Sequence, residues 1–161
     1  MTDSRTELTV RLAVPADLPF IVAGAQALAT LEQGDSGLPL KADFAERLQR
    51  YFQQLLDTPS ALLLIAERDG KSLGYIAGSL QTMPNDFTDV VLYGLIQVLW
   101  VNEEARRLQL GQTLLELFEA TLREQGVHHV DAQHASSNLP AAGFWQKNGY
   151  CPVSVTVRKT L

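Results

Sequence analysis

Residues 101–115 read Val101-Asn102-Glu103-Glu104-Ala105-Arg106-Arg107-Leu108-Gln109-Leu110-Gly111-Gln112-Thr113-Leu114-Leu115. A long apolar run, Val90 to Val101, enters this stretch as a strand. A charged turn follows. Leucines at 110, 114, 115, 117 and 122 then recur at helical spacing, and Gly126 closes a helix that runs to Gln125. The first turn of a helix leaves backbone N–H groups unpaired and carries about half a positive charge, so it can hold phosphate. Gly111 would let a ligand approach the backbone, and Arg106, Arg107 and Thr113 would add side-chain contacts. The same pattern also describes a solvated helix start behind a charged turn.

Working outward, Leu8 to Leu12 reads as a short strand. Asp17 stands as the N-cap of a helix with Pro19 in its first turn, continued by Phe20 to Leu31. Gln33 to Pro39 holds two glycines and a proline and reads as a loop; Ala42 to Leu56 has helical spacing. Ala61 to Glu67 and Ser72 to Thr82 form a hairpin across Arg68-Asp69-Gly70-Lys71, and Pro84-Asn85-Asp86 is another turn. Downstream come a strand at Val127 to His134, a short helix at Pro140 to Asn148, and a last alternating strand at Val153 to Val157. The order β-α-α-β-β-β-α-β-α-β predicts an α/β mixed sheet with antiparallel leading strands and helices on both faces.

The chain has 161 residues, close to one domain at roughly 150 residues each, so residues 1–161 are expected to form a single unit. Hydrophobic residues at 46% and charged residues at 19% suit a globular core and argue against disorder. Thirteen Lys and Arg against eighteen Asp and Glu give a formal charge of -5, which disfavours nucleic acid as a partner. That charge would attract a cationic amine. The single cysteine, Cys151, excludes an intrachain disulfide. The start, Met1-Thr2-Asp3-Ser4-Arg5, lacks a signal-peptide pattern, and Phe20 to Leu31 is too short to span a bilayer. A cytoplasmic protein without a membrane partner is the simplest expectation. The three histidines show no zinc-enzyme spacing, so no metal is expected.

A second segment, Asn138-Leu139-Pro140-Ala141-Ala142-Gly143-Phe144-Trp145-Gln146-Lys147-Asn148-Gly149-Tyr150, follows the fifth strand. With it the chain resembles the GNAT superfamily, the acetyl-CoA-dependent N-acetyltransferases. The family's Arg/Gln-x-x-Gly-x-Gly/Ala loop corresponds to Arg106-x-x-Gln109-x-Gly111. Its Asn-x-x-Ala-x-x-Phe/Leu-Tyr-x-x-x-Gly-Phe pattern corresponds to Asn138-x-x-Ala141-x-x-Phe144-Trp145-x-x-x-Gly149-Tyr150. Val10 to Ala13, Asp17 to Ile21, Ile65 to Gly70 and Leu73 to Gly78 resemble it as well, so the likeness spans nearly the whole chain. It implies a GNAT-like fold in which the fourth and fifth strands splay apart and hold the pantetheine arm of acetyl-CoA, the cosubstrate. It further implies that the cofactor pairs with backbone at Leu99 and Val101. The pyrophosphate would lie on Arg106, Arg107, Leu108, Gln109, Leu110, Gly111, Gln112 and Thr113. Asn138 and Trp145 would flank the arm.

Three departures bear on chemistry. The first glycine of the phosphate loop is Gln109, strained by about 1 kcal/mol if its backbone is left-handed. The strand position that carries a glutamate base in many members is Gln97, whose amide can orient water but cannot take a proton. Strand alternation puts Gln97 on one face with Tyr93, Leu95, Leu99 and Val101. The tyrosine that protonates the leaving thiolate is replaced by Trp145. His134, at the end of the fifth strand, is a candidate base; Tyr93 and Tyr150 are candidate acids; Gln97 is a positioning candidate. For each, a packed or hydrogen-bonded structural role is the alternative.

The reading that results is an N-acetyltransferase acting on a primary amine of a small molecule or peptide, with a homodimer allowed. The acceptor would meet the first two helices, the loop Leu31 to Leu40 and the turn Met83 to Thr88, where Glu32, Asp35, Asp86 and Asp89 lie. Two competitors stand beside it: a non-catalytic acyl-CoA-binding or regulatory module of the same fold, and an unrelated nucleotide-binding α/β protein.

Overall fold

The computed structural model describes residues 7–83 and 87–161. The turn Pro84-Asn85-Asp86 and the first six residues lie outside the described residues. Five strands form one sheet in the order β1-β2-β3-β4-β5: β1 Thr9–Leu12, β2 Ala61–Arg68, β3 Lys71–Thr82, β4 Leu92–Val101 and β5 Val130–Ala132. The first three pairings are antiparallel and β4–β5 is parallel. Four α-helices accompany them: α1 Leu18–Ser36, α2 Phe44–Leu56, α3 Leu110–Glu124 and α4 Leu139–Lys147. The mixed sheet and its covering helices follow the expected order up to α4.

Each face of the sheet buries its own core. Leu64, Ile76 and Ile96 pack with Leu110, Leu114, Leu115, Phe118 and Leu122 of α3. On the opposite face Ile65, Tyr75 and Ala77 pack with Ile21 and Ala25 of α1 and Phe52 of α2. The α3 helix sits low because glycines lie beneath it. A Cβ at Gly78 would collide with Phe118, and one at Gly94 with Leu122. Tyr75 is fully buried and donates its hydroxyl to the Ile21 carbonyl at 2.8 Å.

Several boundaries differ from the sequence expectation. The first helix does not stop at Leu31. It tolerates Gly34, continues to Ser36, and ends on Gly37 at φ 63°, so the loop expected from Gln33 is mostly helix. Asp17 is not a side-chain cap of that helix. Its carboxylate accepts Arg11 Nη1 at 2.7 Å, Arg11 Nη2 at 2.9 Å and the Val14 N–H at 2.8 Å, which closes a 3-10 turn, Pro15–Asp17. β4 begins at Leu92 rather than Val90, and β5 has three residues rather than Val127 to His134. Residues 153–157 form no ladder.

The expected single face of β4 is also broken. Ala77 pairs with Val98 while Gly78 pairs with Ile96, so Gln97 is the extra residue of a β-bulge. Ile96, Leu99 and Val101 all join the α3-side core, whereas Val98 and Trp100 join the other. Alternation therefore slips by one residue between Ile96 and Leu99.

Candidate active site

The bulge at Gln97 coincides with a parting of strands. β4 stays zipped to β3 as far as Val101, opposite Gly74. Its ladder to β5 has only Gly94–Val130, Leu95–Asp131 and Ile96–Ala132. Beyond Ile96, residues 97–101 pair with no strand on that side among the described residues. The two chains part there: β4 runs on alone to Val101, while the chain leaves β5 after Ala132 for α4, so the ladder opens as a wedge.

A helix start adjoins the wedge. After β4 the chain makes a 3-10 segment, Glu103–Leu108, and then a left-handed residue, Gln109, at φ 54° and ψ 22°. Gln109 and Asp69 are the non-glycine residues with positive φ among those described. No side chain caps α3. Its first i to i−4 bond is Thr113 N–H to the Gln109 carbonyl at 3.1 Å, so the amides of Leu110, Gly111 and Gln112 ahead of it have no such partner within the helix. A Cβ at Gly111 would stand 3.3 Å from Phe144 of α4. Glycine there keeps the approach to these amides narrow but open.

The side chains expected to serve this start are partly engaged. Arg106 lies over the Trp100 ring at 5.9 Å and reaches the Val101 carbonyl at 3.5 Å. Arg107, Leu108 and Gln109 are exposed. Leu110 is fully buried in the core and offers the site only its backbone. Gln112 donates to Glu116 at 2.8 Å, and the Thr113 hydroxyl donates to the Gln109 carbonyl at 3.3 Å. Leu99 and Val101 are half-buried on the α3 side.

Asn138 is the N-cap of α4. Its Oδ1 accepts the Ala141 N–H at 3.2 Å, and its Nδ2 donates to Glu32 Oε1 at 2.7 Å. The same Glu32 oxygen accepts the Ala135 N–H at 3.3 Å. Glu32 is thus a half-buried tie between α1 and the β5–α4 connection, not a solvated loop charge. Asp89 is exposed; Asp86 and the Asp35 side chain lie outside what is described.

The candidate acids and bases are scattered. Gln97 Nε2 donates to the Ser79 hydroxyl at 3.0 Å, and its buried Oε1 has no hydrogen-bond partner. Ser79 is itself buried and also accepts Gln81 Nε2 at 2.9 Å. Since a Cβ at neighbouring Gly78 would face Phe118 of α3, Ser79 and Gln97 face the α1–α2 side. His134 lies two residues past the end of β5, exposed, with Nδ1 2.8 Å from the Ala135 carbonyl. Tyr93 sits at the other end of β4, stacked on His129 with ring centroids 5.1 Å apart. Tyr150 donates to Glu119 at 2.7 Å; burial, and then that anionic partner, holds its proton well above the usual range for a phenol. Trp145 packs between Phe144 and Tyr150, with centroids 5.1 and 5.0 Å away. Sequence reasoning missed Ser79, although a lone hydroxyl within the run Ala77-Gly78-Ser79-Leu80 was a signal for it.

Among the described residues no three His, Cys, Asp or Glu side chains cluster to hold a metal, and no helix is long and apolar enough to cross a membrane.

Comparison with known proteins agrees with the fold. A tetramutant of a Bacillus halodurans protein superposes with a TM-score of 0.86 at 16% identity, covering 95% of this chain and 99% of its own. An aminoglycoside 6'-N-acetyltransferase from Acinetobacter haemolyticus gives 0.75 at 16% identity, with 95% and 97% covered. An aminoglycoside N-acetyltransferase solved with CoA gives 0.78 at 12% identity, with 100% and 99% covered. At such identities the likeness is one of fold. No curated protein matches the sequence. The model of the Acetyltransferase (GNAT) family matches residues 26–150, a span that holds the bulged strand, the parted edge and the open start of α3. This chain belongs to the GNAT family of acetyltransferases.

Proposed function

We propose that the protein is an N-acetyltransferase that uses acetyl-CoA to acetylate a primary amine of a small molecule or peptide. The observation that carries this reading is the parting of β4 from β5 directly beside the uncapped start of α3. The unpaired edge of residues 97–101 offers amide and carbonyl groups to an extended, amide-bearing arm such as pantetheine. The α3 amides, with Arg106 and Arg107 nearby, suit its pyrophosphate. Gly111 supports the fit, since any Cβ would narrow that approach against Phe144.

In this reading the free amine attacks the thioester carbonyl, the new C–N bond forms, the C–S bond breaks, and the amine proton leaves to solvent. A β4 amide near Leu99 stabilises the developing oxyanion. Gln97, held by Ser79, places its free amide oxygen to orient the amine or a water. Rate comes from positioning rather than from a strong acid–base pair. Glu32 holds the wall of the cleft through Asn138 and Ala135. The single exposed Cys151 and the formal charge of -5 fit a cytoplasmic enzyme that draws cationic amines.

A non-catalytic acyl-CoA-binding module is the second reading, favoured by the absence of a carboxylate at Gln97. Two measurements separate them. Acetyl-CoA at a hundred times its dissociation constant adds about 2.7 kcal/mol of stability, a visible melting shift, under both readings. Release of free CoA thiol with a panel of aminoglycoside, polyamine and peptide amines occurs only if the enzyme reading holds. No shift at millimolar acetyl-CoA would remove both.

A further inference from the structure

Trp100 lies on the stretch of β4 that has left β5 behind, still paired with Tyr75 of β3. The fold makes room for it. A Cβ at Gly24 of α1 would stand 2.7 Å from the indole, so the helix goes without a side chain where the ring packs. Two further contacts lead forward along the chain. The indole N–H donates to Asn102 Oδ1 at 3.3 Å, and the guanidinium of Arg106 lies over the ring, 5.9 Å from its centroid. Asn102 begins the 3-10 segment Glu103–Leu108 and is fastened to β3 by its N–H on the Leu73 carbonyl at 2.8 Å. Its Nδ2 reaches the Ser72 carbonyl at 3.5 Å. Trp100 therefore touches this segment at its start and again near its end, just ahead of Gln109 and the open amides of α3. Any large apolar side chain would serve the core here; a bond to Asn102 and a cation on the ring require an indole.

We propose that Trp100 is a positioning residue that presents Arg106 to the anionic end of the cofactor. The proposal rests on the reading above, in which the start of α3 holds the pyrophosphate of acetyl-CoA. An exposed arginine samples many rotamers and must give them up to bind an anion. On the Trp100 ring, with the Val101 carbonyl 3.5 Å from its Nε, Arg106 has already given up most of them. The nature of the partner matters as much as the restraint. Lys71 is held by Glu104 at 2.6 Å, and Arg11 by Asp17 at 2.7 Å and Glu67 at 2.9 Å, so those charges are answered within the protein. Among the described residues no carboxylate pairs with Arg106. A ring face attracts the cation without neutralising it and leaves its planar fork of donors to a phosphate. Trp100 acts through Arg106 and does not itself meet the ligand.

The test is a double-mutant cycle on the full chain, with acetyl-CoA affinity read by calorimetry. Arg106→Ala should weaken binding about tenfold, and Trp100→Leu about fivefold, the scale of one long side chain left unrestrained. The double variant should bind within about twofold of Arg106→Ala alone, because the ring then has nothing to present. Trp100→Phe keeps a ring face and should stay within about twofold of the parent. Arg106→Ala should also flatten the fall of affinity with salt, and Trp100→Leu should flatten it part of the way, which lost packing alone would not do. A measurement on the unaltered chain guards against a Leu variant that does not fold. The Arg106 Nε–H resonance, identified by its loss in Arg106→Ala, should lie upfield under the ring and move when acetyl-CoA is added. A parent that fails to bind millimolar acetyl-CoA overturns the acetyltransferase reading and this assignment with it. A parent that binds, with losses that simply add in the cycle, overturns the role of Trp100 alone. Tighter binding by Trp100→Leu does so too, since the ring would then withhold Arg106. So does an Arg106 resonance that stays in place at saturation.

Discussion

Helices α1 and α3 both follow short 3-10 turns, but their entries are finished in opposite ways. At the entry to α1, Asp17 is buried and wholly occupied by two Arg11 nitrogens and the Val14 N–H; Arg11 in turn binds Glu67 of β2 at 2.9 Å. At the entry to α3 stands an exposed Gln109 in a left-handed conformation, with no side chain over the helix amides. Neither helix has a side-chain cap, unlike α4, whose start is capped by Asn138; what sets α1 apart is the buried cluster that pins the turn ahead of it. A helix entry pinned by a buried ion pair serves the fold. One that is left open beside a parted sheet, and held open at a conformational cost, is suited to an outside ligand.

The sharpest way to break this contrast is to put a charge of the wrong sign at the open end. Gly111→Asp places a carboxylate among the amides proposed to hold a pyrophosphate, and like charges brought together cost several kcal/mol. Acetyl-CoA affinity measured by calorimetry should fall about a hundredfold or more, with the helical signal retained. An unchanged affinity would mean that the α3 start is not the anion site.

At the closed end the effect should appear in stability and not in affinity. Arg11 holds the Asp17 carboxyl below its ordinary value of 3.8, chiefly through the two side-chain hydrogen bonds. A depressed folded-state pKa means that the unfolded chain binds the proton more readily. The stabilisation is therefore complete above about pH 4 and is lost as pH falls below it. Asp17→Asn should cost about 2 kcal/mol at pH 7, the scale of hydrogen bonds to a charged group, and should flatten the melting curve's dependence on pH between 4 and 2. An acid limb as steep as the parent's would put the titrating group elsewhere.

How far each end was legible in the sequence follows from the same contrast. The α3 start could be read because strand, charged turn and leucine-spaced helix are all local patterns, and Gly111 and the arginines fall inside them. The Asp17 cluster could be read only as a cap, because its true partners, Arg11 and Glu67, meet it through strand pairing between β1 and β2. Face assignment on β4 failed past Gln97 for a related reason. A bulge is a one-residue slip against a neighbour, and alternation within β4 carries no trace of β3. Glu32 was visible as a charge, but its bond to Asn138 joins residues 106 positions apart. Alternation at 153–157 reads as a strand, but a pattern supplies no neighbour, and the segment joins no ladder.

Gln109 offers a smaller perturbation of the opposite sign. At φ 54° a side chain costs about 1 kcal/mol that glycine would not incur. Gln109→Gly should raise stability in denaturant by about that amount and leave acetyl-CoA affinity no weaker. If affinity drops, the amide side chain itself contacts the ligand, and the open end is less open than its backbone implies.

The smallest expected effect concerns the bulge itself. Gln97 lies where the strands part, with Nε2 donated to Ser79 and Oε1 unpartnered. A neutral amide has no proton to gain at working pH, so it can only orient what binds beside it. Positioned acids and bases contribute about a hundredfold or more, whereas loss of one orienting hydrogen bond is worth about 1 kcal/mol. Gln97→Ala should therefore slow acetylation by a few-fold, less than about tenfold, with acetyl-CoA affinity intact. The alkaline limb of the rate should then move with the pKa of the amine supplied, in both the parent and the variant. Two acceptors of different pKa, assayed from pH 6 to 10, make that visible. A thousandfold loss with folding preserved, or a limb that stays fixed when the acceptor changes, would show that the enzyme carries its own base. His134, exposed just beyond β5, would be the residue to replace next.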